Sequence, residues 1–261
     1  MGLRAVVFDV DGTLAETERD GHRVAFNRAF RRLGLPDRWD EALYGRLLWV
    51  AGGRERLRFY FDTFRPELRA DDNLIRRLHD LKNQEFRRLV AQGRVRPRPG
   101  VRRLVRELTD RGVAVGVATT GSREWVEPLL ATLLGRELAG RLGVVVTGED
   151  VRRKKPDPEA YLLALGRLGV TAAEAVAVED SQNGLEAAKA AGLPCLVVVG
   201  FYSTEGHDFG RADLVTDGFG EPGRPARVLF NPHGLAVNGL VTAELLAELC
   251  RRATITGRWS R

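Results

Sequence analysis

Arg4-Ala5-Val6-Val7-Phe8 runs straight into Asp9-Val10-Asp11-Gly12-Thr13, and how the rest of the chain folds follows from this stretch. An unbroken apolar run of strand length, with no alternation of polar residues, is the signature of a strand buried on both faces, as in a parallel sheet. Similar runs rich in Val and Ala recur at 113–118, 143–147, 175–179 and 194–199, with a weaker one at 213–215. Helix-like segments at 122–134, 157–168 and 183–191 separate the later ones. Apolar strands alternating with helices predict an α/β fold, a doubly wound parallel sheet covered on both faces. The alternation is interrupted after the first run. Residues 15–92 show helical periodicity (Val24, Phe26, Phe30, Leu33, then Leu74, Ile75, Leu78, Leu81) and no strand pattern. Pro97 and Pro99 then disfavour helix and make 94–100 an extended connector. The expected organisation is a core built from 1–14 and 96–217, an inserted α-helical cap at 15–95, and an extension at 218–261 that packs on the core. That extension should end in a helix from about 243 to 252.

With 261 residues, 44% hydrophobic and 29% charged, the composition is that of an ordinary globular protein. No apolar run approaches the ~20 residues a membrane span needs, so no membrane partner is expected. The strand pattern follows the initial Met directly and leaves no room for a signal peptide. A cytoplasmic location is expected, or a plastid one for a product whose presequence has been removed. Cys195 and Cys250 are too few for a disulfide framework and lack metal-ligand spacing. The formal charge of +6 invites a nucleic-acid reading, but 41 basic residues less four lysines leaves 37 arginines spread over every segment. Without a basic stripe or interleaved aromatics, no nucleic-acid partner is expected. A chain that writes Arg nearly everywhere draws attention to Lys154 and Lys155.

The chemistry sits where the strands end, since ligands of parallel sheets bind beyond the carboxyl ends of the strands. Asp9 and Asp11 follow the first strand, and two carboxylates so close repel unless a cation holds them or one is protonated. Mg²⁺ suits the first option, because it takes oxygen ligands from one or two carboxylates together with phosphate. Taken alone, the stretch fits an acidic turn equally well. Three further strand ends add to it. Thr119 and Thr120 offer a hydroxyl and amides to phosphate oxygens. Lys155 stands before Pro156, a residue able to open a helix, and a cation there would neutralise phosphate and Asp9 together. Glu179, Asp180 and Ser181 bring a second acidic pair.

DVDGT, then Thr119, then KKPDP, then EDS, in that order at successive strand ends, resembles the haloacid dehalogenase superfamily over residues 4 to about 216. The resemblance implies a Rossmann-like core and a phosphatase with Mg²⁺ as cofactor. It implies Asp9 as nucleophile, Asp11 as general acid and base, and Thr119 and Lys155 as phosphate binders. The metal ligands would be Asp9, Asp11 through its backbone carbonyl, and Asp180 together with Glu179. In the cap, ETERDGHRVAFN and GGRER, with GFY at 200–202 and EDSQNGLEAAKAAG at 179–192, resemble the CbbY-like branch. That branch includes phosphatases of xylulose-1,5-bisphosphate, a bisphosphate that inhibits carbon fixation. The implied partner is a small phosphorylated sugar, bound by Glu18, His22, Tyr44, Gly52, Gly53, Arg54, Arg56 and Thr120, and the protein is expected to be a monomer. Glu18 and His22, four apart, should share one helical face. Glycines at 52 and 53 let amides approach an anion, and the arginines can bind it as forks. Two departures stand out: Arg54 replaces the Lys usual in GGKER, and Gly121 replaces a frequent Thr or Ser. The competing functions are a β-phosphoglucomutase-like phosphotransferase and a non-catalytic sugar-phosphate-binding protein.

Overall fold

The computed structural model describes residues 2–50, 52–68, 70–203 and 206–256. The chain divides into two compact units, 1–16 with 96–261, and 17–95. The first unit is a seven-stranded sheet in the order β3-β2-β1-β4-β5-β6-β7. Its strands are β1 (Ala5–Phe8), β2 (Ala114–Ala118), β3 (Val144–Val146), β4 (Ala175–Glu179), β5 (Cys195–Val198), β6 (Leu214–Thr216) and β7 (Val228–Phe230). The first six are parallel and β7 pairs antiparallel with β6. β1 lies between β2 and β4, with Ala5 to Phe8 in register with Ala114 to Val117 on one side and Ala175 to Val178 on the other. Every residue of β1, β4 and β5 is buried, which is why these runs carry no polar alternation.

The helices of this unit, labelled in chain order with those of the second, are α5 (Val101–Asp110), α6 (Arg123–Leu134), α7 (Arg136–Ala139), α8 (Glu159–Leu168), α9 (Gln182–Ala190) and α10 (Ala243–Thr256). Pro156 does not open a helix: α8 begins at Glu159, after Pro158 at its N-cap. Glu159 accepts from the Arg152 and Arg153 amides, so the preceding turn closes on the first helical carboxylate. The extension contributes more than a tail helix. β7 adds an edge strand that the sequence pattern did not signal, because its apolar run, Val228-Leu229-Phe230, is only three residues long, and all three are exposed. α10 packs on α5 and β4, with Leu246 and Leu249 fully buried.

The second unit holds α1 (Arg23–Arg32), α2 (Glu41–Leu47), α3 (Gly53–Phe64) and α4 (Asp72–Ala91). α1 and α4 pack against each other, and an aromatic cluster fills the space among the helices, with Trp39 4.6 Å from Phe26 and 5.1 Å from Tyr60 between ring centroids. Asp40 and Asp71 cap α2 and α4 by accepting from the Leu43 and Leu74 amides, satisfying donors that a helix start leaves open. Residues 17–22 form a π-helical turn rather than the first turn of an α-helix. The wider winding corrects the expected shared face of Glu18 and His22, since in such a turn residues four apart no longer stack. Gly21 lies inside it so close to Phe86 that a Cβ would come within 2.5 Å of the ring. No helix among the described residues is long and apolar enough to cross a membrane.

Candidate active site

β1 and β4 run side by side and stop at the same level, so Asp9 and the Glu179-Asp180 pair emerge next to one another. The Asp9 amide donates to the Val178 carbonyl at 2.9 Å, extending the pairing one residue past β1. Oxygens of Asp9, Glu179 and Asp180 lie within 4.8 Å of one another. The Asp11 carboxylate is not among the three.

Lys155 reaches into this cluster from the turn before α8. Its ammonium donates to Asp9 Oδ1 at 2.7 Å, to Glu179 Oε1 at 2.5 Å and to the Ala118 carbonyl at the end of β2 at 2.8 Å. An ammonium has three donors, and here each has an acceptor at a different strand end. Burial works against the Lys155 charge, but Asp9 and Glu179 outweigh it and raise its pKa. Burial also raises the Asp9 pKa, opposed by Lys155 and reinforced by Glu179, Asp180 and Asp11. Asp180 is pushed up to about 8 by burial and by Glu179, with the Ser203 hydroxyl and Arg98 pulling the other way. Burial is the largest cause of both shifts, and Lys155 offsets it at Asp9.

The residues present fit a hard divalent cation. The donor set is all oxygen, and the second oxygen of Glu179 is buried without a hydrogen-bond partner. Asp9, Glu179 and Asp180 each offer such an ion one carboxylate oxygen.

Thr119 follows β2 and is buried, while Thr120 is exposed. The Thr119 hydroxyl accepts from the Gly121 amide at 3.1 Å, tightening the turn beyond the strand. Gly121 has a steric reason: a Cβ there would stand 2.2 Å from the Trp125 ring. The departure from Thr or Ser thus accompanies a large neighbour in α6.

The second unit carries its own polar group. Tyr44 donates to Glu18 at 2.5 Å and accepts from Arg56 at 2.9 Å, while the Arg56 guanidinium also donates to the Leu47 carbonyl. Burial opposes the Arg56 charge, but Tyr44 and Glu18 raise its pKa. His22 stacks on Phe86 at 3.9 Å, and burial together with Lys82, Arg56 and His79 lowers its pKa. Gly53 presses against His79, where a Cβ would stand 3.1 Å from the imidazole. Glu18, Tyr44 and Arg56 thus form one network. No hydrogen bond among the described residues joins Arg54 to it. Arg54 instead lines a groove of about 660 Å³ with Glu55, Arg58 and Arg76.

Sequence reasoning missed Tyr161 and Arg98. Tyr161, in α8, donates to Glu179 Oε1 at 2.5 Å and lies under the Lys155 ammonium, 4.9 Å from its ring centroid. Its place six residues after Lys155 was the available signal. Arg98 was hidden by the abundance of arginine.

The model of the haloacid dehalogenase-like hydrolases matches residues 3–192. Protein CbbY of Cereibacter sphaeroides is 43% identical over 225 residues, 85% of this chain and 94% of that protein. The phosphorylated carbohydrates phosphatase of Thermotoga maritima is 34% identical over 193 residues, 73% of this chain and 82% of that one. Crystal structures of CbbY from Rhodobacter sphaeroides, one with phosphate and one of a mutant with xylulose-(1,5)bisphosphate, superpose with a TM-score of 0.71 at 41% identity, covering 83% of this chain and 94% of theirs. A match that takes in Asp9, Thr119, Lys155 and Asp180 alike, with phosphatases among the relatives, makes the chain a member of the haloacid dehalogenase-like hydrolases and its activity that of a phosphatase.

Proposed function

We propose that the chain is a Mg²⁺-dependent phosphatase that removes phosphate from a small sugar phosphate through an aspartyl-phosphate on Asp9, with xylulose-1,5-bisphosphate as substrate and xylulose 5-phosphate as product. The observation that carries the reaction class is Lys155 held 2.7 Å from Asp9 within a cluster of acidic oxygens. A carboxylate nucleophile divides one difficult hydrolysis into two easier transfers. The Asp9 carboxylate attacks phosphorus and the leaving alkoxide takes a proton from Asp11. Asp11 then removes a proton from the water that attacks the aspartyl-phosphate, freeing inorganic phosphate and restoring Asp9. Lys155, with Thr119 and the amides beyond β2, stabilises the charge on the transferring group. Asp9, Asp180, Glu179 and the Asp11 carbonyl would hold Mg²⁺, which when bound supplies further neutralisation of the phosphoryl oxygens.

Support for the sugar comes from the CbbY neighbour, whose mutant binds xylulose-(1,5)bisphosphate, and from a cap unit that carries Glu18, Tyr44, Arg56 and His22. Acid, hydroxyl and guanidinium groups suit sugar hydroxyls and a second phosphate. The test is phosphate release from a panel of sugar mono- and bisphosphates, with Mg²⁺ and with EDTA, for the native chain and Asp9→Asn. Highest kcat/KM on xylulose-1,5-bisphosphate, loss in EDTA and only a trace of turnover in the Asn variant are expected. Full activity in EDTA, or retained activity without the Asp9 carboxylate, defeats the mechanism. An isomeric sugar phosphate formed without free phosphate would identify a phosphotransferase, and binding without turnover a sugar-phosphate-binding protein.

A further inference from the structure

Asp180 sits in a socket made by residues that none of the proposed chemistry uses. Its Oδ2 accepts from the Ser203 hydroxyl at 2.8 Å, and the same hydroxyl accepts from the Gly200 amide at 3.2 Å. Two glycines close the remaining sides. A Cβ on Gly12, whose φ is +83°, would lie 2.0 Å from that oxygen, and one on Gly200 would lie 3.1 Å from it. Gly12 belongs to the loop carrying Asp9 and Asp11, and Gly200 and Ser203 to the loop after β5. The Asp180 carboxylate is thus gripped between two loops, and their spacing sets where it points.

Arg98 fixes that spacing. Its buried guanidinium donates to the Gly12 carbonyl at 2.5 Å, to the Val198 and Val199 carbonyls at 3.0 and 2.7 Å, and to the Asp217 carbonyl at 3.4 Å. It also faces Glu16 at 3.6 Å, and Glu16 accepts from the Phe201 amide at 3.1 Å. One planar fork thereby ties together the ends of three strands, β1, β5 and β6. Lysine has the charge but not five donors in a fixed plane. The GFY stretch at 200–202, which resembled a family pattern without a role, is the segment between the Gly200 and Ser203 contacts.

We propose that Ser203 and Arg98 are positioning residues for the metal side of the site: Ser203 fixes the rotation of the Asp180 carboxylate, and Arg98 holds the Gly12 and Gly200 loops at the distance the socket requires. This rests on the metal reading proposed above. Partners that orient a metal ligand typically change metal affinity 10–100-fold when removed, whereas a hydroxyl that only closes a turn would change stability alone.

The test is titration calorimetry of Mg²⁺ into the EDTA-stripped, dialysed full chain, with thermal unfolding of the same samples in metal-free buffer. The proteins are the native chain, Ser203→Ala, Arg98→Lys and Leu249→Ala, the last destabilised in α10. Ser203→Ala and Arg98→Lys are expected to weaken Mg²⁺ by about tenfold or more, while Leu249→Ala keeps the native Kd despite a lower Tm. A folded Ser203→Ala protein with the native Mg²⁺ Kd overturns the proposal, and so does an equal weakening in Leu249→Ala. If Arg98→Lys does not fold, Ser203→Ala decides alone. Absence of Mg²⁺ binding by the native chain is a separate result: it defeats the metal reading, and the positioning role with it.

Discussion

At the scale of single residues, the site is governed by how many donors surround each buried carboxylate. Glu179 Oε1 takes hydrogen bonds from both Lys155 and Tyr161 at 2.5 Å. A buried charge must be hydrogen-bonded to be tolerated. Tyr161→Phe keeps the ring under the ammonium and removes only the hydroxyl, so the effect isolates one donor. We expect a loss of about 1–3 kcal/mol in stability with little change in KM, measured by denaturant unfolding and steady-state kinetics. No change in unfolding free energy would mean that Lys155 alone satisfies Glu179.

At the scale of elements, the proposed function gives the chemistry to the strand ends of the first unit and the recognition to helices of the second. In the second unit the start of α3 holds Gly53 and Arg54, and its next turn holds Arg56. Arg56 is buried in the Glu18–Tyr44 network, so its replacement would disturb packing as well as binding. Arg54 lies outside that network, which makes it the cleaner probe of the distal phosphate. Arg54 is exposed in the free chain; if binding the distal phosphate desolvates it, losing that charge-assisted contact costs ~3 kcal/mol, and Arg54→Ala should lower kcat/KM for xylulose-1,5-bisphosphate on the order of 10². Turnover of para-nitrophenyl phosphate, which has no distal part, should barely change. Equal losses on both substrates would place Arg54 in general stability instead.

At the scale of the whole chain, the extension and the carboxylate cluster set stability in different ways. Leu249 is fully buried where α10 meets the core unit, so Leu249→Ala should cost about 2–5 kcal/mol without altering KM. A loss below 1 kcal/mol would show that the extension is dispensable. The cluster adds a pH dependence. Folding raises the Asp180 pKa from 3.8 to about 8, and an acid with a raised pKa favours its protonated form in the folded state. Its contribution is complete below 3.8 and is lost as pH climbs through the folded value near 8, because the native state then binds more protons than the unfolded one. A cation at the cluster relieves that loss. The rise in Tm on adding Mg²⁺ should therefore be larger at pH 8 than at pH 5, and an equal or smaller rise at pH 8 would contradict the assignment of Asp180 to the metal.

The sequence by itself determined the doubly wound sheet, because strands buried on both faces must be written as unbroken apolar runs, and β1, β2, β4 and β5 are written that way. It also signalled that Asp9, Lys155, Glu179 and Asp180 meet, since a parallel sheet brings successive strand ends to one edge, and the structure gathers the four there. Only the tertiary structure decided the rest. β7 was invisible because the apolar run Val228 to Phe230 is shorter than the roughly four to eight residues that mark a strand. The π-helical turn at 17–22 was invisible because Gly21 and Phe86 meet only after folding. The roles of Arg98 and Tyr161 depend on contacts across 86 and 18 residues of chain, and a hydrogen bond to a distant carbonyl or carboxylate leaves no periodicity in the sequence that makes it.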